Sequence, residues 1–324
     1  MKNTMPKLNV VLPDPPFFDT ALLEELRGPD IDITIYRDLA LDAEQLQERI
    51  KDADIIVVDL LSTYNEASLK EAKNLKHIVA ATVGLNHIDL EYCRQRGISV
   101  HNFTNYNSRA VAEMAFGNLV ALIRHIPLAV QTVRANLWTT DYFVGEELKS
   151  KTLGVIGAGN VGREIISIGR GFNMNVLCHT KNPTPARAKE LGLGAFSTIE
   201  EVLSKSDFVM LSVVATKETQ HLINAKTLAL MRPSSYLINM SRHFLVDAKA
   251  LAAALYRKEI AGAALDFVGD EPYHLRGDDL DIQEMINRPN VIVTPHIGFN
   301  TVEAMERLAI DVNNTVRSLV KELV

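Results

Sequence analysis

Residues 153–162 read Leu-Gly-Val-Ile-Gly-Ala-Gly-Asn-Val-Gly. Residues 153–156 have the length and apolar character of a buried strand. Gly157, Gly159 and Gly162 follow at once, and a helical pattern runs over 160–169. Between a strand and a helix this spacing has a physical purpose. The first glycine permits a tight turn, the second lets backbone approach a pyrophosphate, and the third allows close packing of helix on strand. The helix start then offers free amides and a partial positive charge to phosphates. A glycine-rich turn that merely packs tightly is the competing reading, and the strand–turn–helix setting favours dinucleotide binding over it.

The next strand, 175–179, tests which dinucleotide. An acid that binds the ribose 2′-hydroxyl is expected about 20 residues after the glycines. Here the chain reads His179-Thr180-Lys181, with no acid nearby. A carboxylate repels a 2′-phosphate, whereas Thr180 and Lys181 do not, so the residues lean to NADP over NAD. Lys181 as a solvated loop residue is the equally simple alternative.

Outward from this unit the chain alternates strand and helix. On the N-terminal side, strands are expected at 8–12, 31–36, 55–59, 77–82 and 98–103, with helices through 22–26, 44–50 and 66–73 and a further helix ended by Gly97. A long helical stretch covers 108–135, with Pro127 its main breaker. After the glycine motif come Thr184-Pro185, an N-cap with proline at the first helical position, and Ser197-Thr-Ile-Glu200, a capping-box pattern. Apolar strands follow at 208–213, 236–239, 261–265 and 291–293. Apolar runs without clear alternation belong to strands buried on both faces, so the fold class is α/β with parallel sheets. The second series carries its own nucleotide signature and reads as its own domain. Residues 301–324 are helical in pattern, and periodicity does not say which domain they join.

At 324 residues two domains are the default. The chain is 47% apolar and carries a net charge of −6, ordinary for a globular protein and opposed to a nucleic-acid binder, which needs a basic face. No apolar run approaches the ~20 residues that span a bilayer, so no membrane partner is expected. The first residues do not read as a signal peptide, and the two cysteines, Cys93 and Cys178, lack paired spacing. A cytoplasmic location is the expectation. His77, His87, His101, His125, His221 and His274 form no compact ligand spacing with Cys or Asp, so no metal is expected.

Three polar residues follow late strands, where ligands bind in open α/β sheets: Arg242, Glu271 and His296. Reducing a keto acid by hydride needs a cation for the carboxylate and a proton donor for the alkoxide. Arg suits the first role with its always-charged fork, and His suits the second with a pKa near working pH. A Glu beside the His would orient the ring and favour its protonated form. Taken singly, each residue also reads as an ordinary surface or structural one.

With these residues in view, the chain resembles the D-2-hydroxyacid dehydrogenase family. The resemblance rests on Val83-Gly-Leu-Asn-His-Ile-Asp89, Ala110-Val-Ala-Glu113, the run from Gly145 to Gly162, Ile238-Asn-Met-Ser-Arg242, Ala264-Leu-Asp266 with Glu271-Pro272, and Thr294-Pro-His-Ile-Gly298. It implies two Rossmann-like/flavodoxin-like parallel-sheet domains with the active site in the cleft between them. The NAD(P)-binding domain, 106–297, would be inserted into a substrate-binding domain of 1–105 plus 298–324. The resemblance also implies roles. Arg242 holds the substrate carboxylate and carbonyl, His296 is the acid/base, and Glu271 tunes His296. Backbone around Val83-Gly84 holds the carboxylate. Asn160 and Val161 sit with Gly157, Gly159 and Gly162 at the pyrophosphate. Val213, Val214 and Thr219 line the adenine side, and Met240 and Asp266 face the nicotinamide. A homodimer through an arm at 129–143, which holds Trp138, is also implied.

The implied activity is interconversion of a small 2-keto acid and a D-2-hydroxy acid, with glyoxylate and hydroxypyruvate the first candidates. The family usually has Gly after the catalytic Arg; here it is His243. The loop 269–288 is longer and more acidic than usual. No regulatory domain is expected beyond Val324, an expectation that argues against the long, serine-feedback type of phosphoglycerate dehydrogenase. Formate dehydrogenases of the family carry Gln where this chain has Glu271, which disfavours formate. Phosphite oxidation, and a dinucleotide-sensing role like that of the corepressors sharing this fold, remain as alternatives.

Overall fold

In the computed structural model of the protein, residues 7–266 and 280–323 are described, and the chain divides into two compact units. Unit 1 comprises Met1–Asn107 and Asn300–Val324, and unit 2 comprises Ser108–Phe299.

Unit 1 alternates strand and helix throughout: β1 (Leu8–Leu12), α1 (Ala21–Glu24), β2 (Ile31–Ile35), α2 (Ala43–Ile50), β3 (Ile55–Val58), α3 (Glu66–Leu69), β4 (His77–Ala80), α4 (Leu90–Arg96) and β5 (Ser99–Asn102). All its strands pair in parallel, in the order β2-β1-β3-β4-β5. That order reverses direction at β1 and β3, whose carboxyl ends therefore form a switch point. Local chemistry sets the helix ends. Asp42, Asn65 and Asp89 cap α2, α3 and α4 through their side chains, and Gly97 ends α4 at φ +69°, a left-handed turn that glycine adopts without strain. The expected helix 66–73 is a single turn, because Ala72 and Leu75 break away into turns of their own.

Unit 2 opens with α5 (Ser108–Ile123) and α6 (Ile126–Arg134), then β6 (Thr152–Ile156), α7 (Asn160–Gly171), β7 (Asn175–His179), α8 (Pro185–Glu190), α9 (Ile199–Lys205) and β8 (Phe208–Leu211). It continues with α10 (Ala225–Leu228), β9 (Tyr236–Asn239), a 3-10 turn His243–Leu245, α11 (Ala248–Tyr256), β10 (Gly262–Leu265), α12 (Leu280–Ile286) and β11 (Val291–Val293). Its six strands are parallel in the order β11-β10-β9-β8-β6-β7. Both faces are dry. Leu153, Val155, Phe208 and Met210 join one apolar cluster, while Ile156, Val209 and Leu211 join another on the opposite face. The chain's last helix, α13 (Val302–Leu323), packs in unit 1 against α1 and β4, which assigns the C-terminal segment that periodicity left open.

Two local expectations shift. The long helix over 108–135 is two helices bent by 59°. Pro127 sits in the first turn of α6, and His125 takes a left-handed φ of +54° ahead of it. The capping box moves on by one residue, to Thr198 with Glu201, because the Ser197 amide is engaged by the carbonyl of Cys178 at 2.8 Å. No single helix among the described residues is long and apolar enough to cross a membrane; the bent pair α5–α6 meets that test by length and composition only, and α5 is largely buried.

Candidate active site

The site residues of unit 2 gather at the carboxyl ends of its strands. After β6, Gly157 adopts φ +109°, and a Cβ there would stand 2.6 Å from the carbonyl oxygen of Ser212, just beyond β8. A Cβ on Gly162 would lie 2.0 Å from the oxygen of Gly157. Both glycines are therefore demanded by the turn itself. Gly159 differs: no heavy atom lies within 4 Å of the position its Cβ would take. The protein's own packing leaves a side chain free to stand there, so this glycine keeps space for something outside the fold. It is also the N-cap of the twelve-residue α7 and places no side chain over the helix's first amides. Open space in front of a helix N-terminus fits a dinucleotide pyrophosphate. Asn160 is exposed and Val161 half-buried in that first turn.

Beyond β7, Thr180 is buried and Lys181 exposed. Arg187, from the first turns of α8, reaches back to both strand ends. Its guanidinium donates to the Ala158 carbonyl at 2.5 Å and lies 3.4 Å from the Thr180 hydroxyl. Sequence reasoning missed this residue. The Thr184-Pro185 start fixes where α8 begins, but nothing in the pattern says that Arg187 turns toward the glycine turn rather than solvent. After β8, the Thr219 hydroxyl donates to the Val214 carbonyl at 2.8 Å and accepts the Thr216 amide at 2.8 Å, closing the loop that carries Val213 and exposed Val214.

Arg242 follows β9. The buried amide of Asn239 shapes its turn by accepting the Ser241 N–H at 3.0 Å and donating to the Arg242 carbonyl at 2.8 Å. The Arg242 guanidinium donates to the Ser241 carbonyl at 3.1 Å. Met240 is buried, with the Asn118 amide 3.5 Å from its sulfur. His243 forms the start of the 3-10 turn that follows Arg242.

His296 follows β11 in an unusual backbone state, φ +52°, which a non-glycine residue holds only when its surroundings impose it. Asp266, at the end of the neighbouring β10 and 1% exposed, does the imposing. One carboxylate oxygen accepts the Thr294 hydroxyl at 2.6 Å and the Ile297 amide at 3.1 Å, and the other accepts the Gly298 amide at 2.7 Å. The Asp266 carbonyl takes the His296 amide at 2.6 Å. A Cβ on Gly298 would stand 2.8 Å from that carboxylate, so glycine there permits the approach. The His296 ring meets Phe299 edge-on at 5.4 Å. Arg242, Asp266 and His296 thus hang from three adjacent strands, β9, β10 and β11. Glu271, and most of the loop 269–288, lie outside the described residues.

In unit 1, Val83 and Gly84 follow β4. The Thr82 hydroxyl donates to the Gly84 carbonyl at 2.7 Å, and the Asn102 amide donates to the Val83 carbonyl at 2.7 Å. At the carboxyl ends of β1 and β3 lie two buried acids, Asp14 and Asp59. The Tyr64 hydroxyl donates to Asp14 at 2.9 Å. Burial pushes the Asp59 carboxyl up to about 7, against a lowering hydrogen bond from the Leu61 amide, and the charge of Asp14 adds to the rise.

A turn for phosphates, an arginine and a histidine on one sheet edge can serve hydride transfer to a carboxylate-bearing carbonyl compound. Comparison with known proteins agrees. The family model for the D-isomer specific 2-hydroxyacid dehydrogenase NAD-binding domain matches residues 116–298. The glyoxylate reductase of Pyrococcus furiosus is 38% identical over 273 residues, spanning 82% of this chain and 79% of that protein. Among solved structures, the D-lactate dehydrogenase of Aquifex aeolicus complexed with NAD and lactic acid superposes with a TM-score of 0.82 at 30% identity, covering 97% of this chain and 96% of that one. An acyclic imino acid reductase in complex with NADPH and D-Arg gives 0.84 at 26% identity, covering 97% and 98%. On its motifs, its fold and these matches, the chain belongs to the D-isomer specific 2-hydroxyacid dehydrogenase family.

Proposed function

We propose that this protein is a nicotinamide-dependent reductase of small 2-keto acids, with glyoxylate and hydroxypyruvate its first substrates. The observation that carries the reading is the His296 turn, held in a left-handed state by Asp266 on the same sheet edge that bears Arg242 and the glycine cradle. A bound dinucleotide supplies the hydride. Arg242 pairs with the substrate carboxylate and polarises the carbonyl through its fork. His296 gives its proton to the carbonyl oxygen as negative charge develops there, and recovers it from solvent. That the Val83-Gly84 amides also receive the carboxylate is carried by the family resemblance. The role of Glu271 as partner to His296 is carried by the family resemblance alone.

For the cofactor the reading is NADPH. Thr180, Lys181 and Arg187 bring hydroxyl and cationic groups to the end of β7, where a carboxylate would select NADH. The protein acts as a cytoplasmic homodimer in this reading. Its support is α6 and the segment after it, which expose Val133, Leu137, Trp138 and Tyr142, with Trp138 88% accessible, an apolar surface of the kind that marks an interface.

The test is oxidation of NADPH and NADH against glyoxylate, hydroxypyruvate, pyruvate and, in the reverse direction with NADP+ and NAD+, phosphite, for the wild type and His296→Ala. The expected result is turnover of a 2-keto acid with higher kcat/KM for NADPH. The variant should lose about three orders of magnitude in kcat while still binding cofactor. Unchanged turnover in the variant removes His296 from the chemistry, and a clear NADH preference overturns the cofactor reading.

A further inference from the structure

The loop after β4 has its backbone turned by side chains that no motif picked out. Three successive carbonyls are engaged: Thr82 by the Phe103 amide at 3.1 Å, Val83 by the Asn102 side chain at 2.7 Å, and Gly84 by the Thr82 hydroxyl at 2.7 Å. A trans peptide is planar, with its N–H opposed to its C=O. Binding the carbonyls of residues 82, 83 and 84 therefore aims the N–H groups of Val83, Gly84 and Leu85 the other way. None of these three amides has an acceptor among the described residues. The anchors are firm. Thr82 is 3% exposed, and Asn102 is the last residue of β5, paired in register with Ala80 of β4. The far end of the loop is held by the Tyr64 amide on the His87 carbonyl at 2.7 Å and the Asp89 amide on the Tyr64 carbonyl at 2.8 Å. Successive outward amides make a concavity for an anion. With a carbonyl turned outward instead, the same loop would repel one.

We propose that Thr82 and Asn102 are positioning residues for the substrate carboxylate, holding this loop so that the amides of Val83, Gly84 and Leu85 present together. The proposal rests on the reading that the Val83-Gly84 loop receives that carboxylate, and adds what enforces its shape and a third amide. Neither side chain needs to touch substrate.

The experiment compares Thr82→Val, which keeps the shape and loses the hydroxyl, with Asn102→Ala and with Thr82→Ser, which restores the donor. Five quantities are measured in the full-length protein: KM and kcat for the best 2-keto acid, the dissociation constant of oxamate by calorimetry with NADPH bound, the NADPH dissociation constant, and Tm. Thr82→Val and Asn102→Ala should each raise KM and the oxamate constant together by about tenfold, as expected for the loss of one hydrogen bond that holds the loop. kcat should stay within about threefold and NADPH affinity should not move. Thr82→Ser should behave like the wild type. Folded variants with KM and oxamate binding within twofold of wild type overturn the proposal, as does Thr82→Ser failing as badly as Thr82→Val. Should Thr82→Val not fold, Asn102→Ala decides alone. A wild type that binds oxamate without reducing any 2-keto acid sinks the proposed function and leaves this proposal to stand or fall on the oxamate constants. A wild type that binds no oxamate overturns the proposal.

Discussion

The two units use the same alternation of strand and helix, yet their first turns are opposite in character. In unit 2 the turn after β6 is Gly157-Ala158-Gly159, and it runs straight into the twelve-residue α7. In unit 1 the turn after β1 is Pro13-Asp14-Pro15-Pro16, and the helix that follows has four residues. Proline has no N–H to offer a phosphate. Asp14 adds a buried carboxyl group there, and Asp59 a second across the switch point. A dinucleotide phosphate therefore finds amides at one switch point and carboxyl groups at the other. The alternation decides that a ligand edge exists, and the chemistry of one short turn decides what that edge accepts. The amides of Val83, Gly84 and Leu85, proposed above to face the substrate carboxylate, stand at the end of β4, two strands from β1.

The largest test of this contrast is Gly162→Ala. Its Cβ would meet the Gly157 oxygen at 2.0 Å, so a loss of about 4 kcal/mol or more in unfolding free energy is expected. Denaturant titration measures it, and a wild-type midpoint would mean that the turn yields easily and the glycine is not steric.

Next comes Asp59→Asn in unit 1. The folded state raises this carboxyl from its ordinary 3.8 to about 7, so it binds its proton more tightly than the unfolded chain does. The neutral form's contribution is thus complete below pH 4 and lost as pH rises through 7. Asparagine keeps an acceptor for the Leu61 amide and never ionises. The variant should match the wild type near pH 4 and exceed it at pH 8 by up to about 4 kcal/mol. Parallel stability curves across that range would show that Asp59 ionises without cost.

The smallest is Gly159→Ala, where nothing lies within 4 Å of the added carbon. Tm should hold within about a degree, while the KM for the dinucleotide rises about tenfold as the methyl group occupies ligand space. A lower Tm with unchanged cofactor KM would reverse the assignment of that space.

Sequence reading located every strand of both sheets, because runs such as Ile-Ile-Val-Val at 55–58 and Phe-Val-Met-Leu at 208–211 are buried on both faces and leave little doubt of their kind. Strand ends were overrun by a residue or two, as at 208–213, because hydrophobicity continues past the last ladder bond. The site was legible as residue types: glycines at fixed spacing, an arginine and a histidine after strands. Its supports were not. Asp266 gripping the His296 turn, Arg187 folding back on Ala158, and Asn102 holding the Val83 carbonyl all depend on contacts across strands or between a helix and a turn. Such contacts have no period in the sequence. The split between α5 and α6 was half legible, since Pro127 was in view but the left-handed His125 that completes the break was not.

The interruption of unit 1 by unit 2 sets an order of assembly. As the chain leaves the ribosome, β1 to β5 emerge first but lack α13, whose Leu308, Val312, Val316 and Leu319 are buried in the finished unit. Unit 2 is continuous and has all its strands before α13 is made. Vectorial synthesis therefore lets the nucleotide-type unit finish while the first unit waits with an uncovered flank of its sheet. During that wait the apolar surface that α13 will cover lies open on unit 1, and a chaperone that attends this chain should be found there.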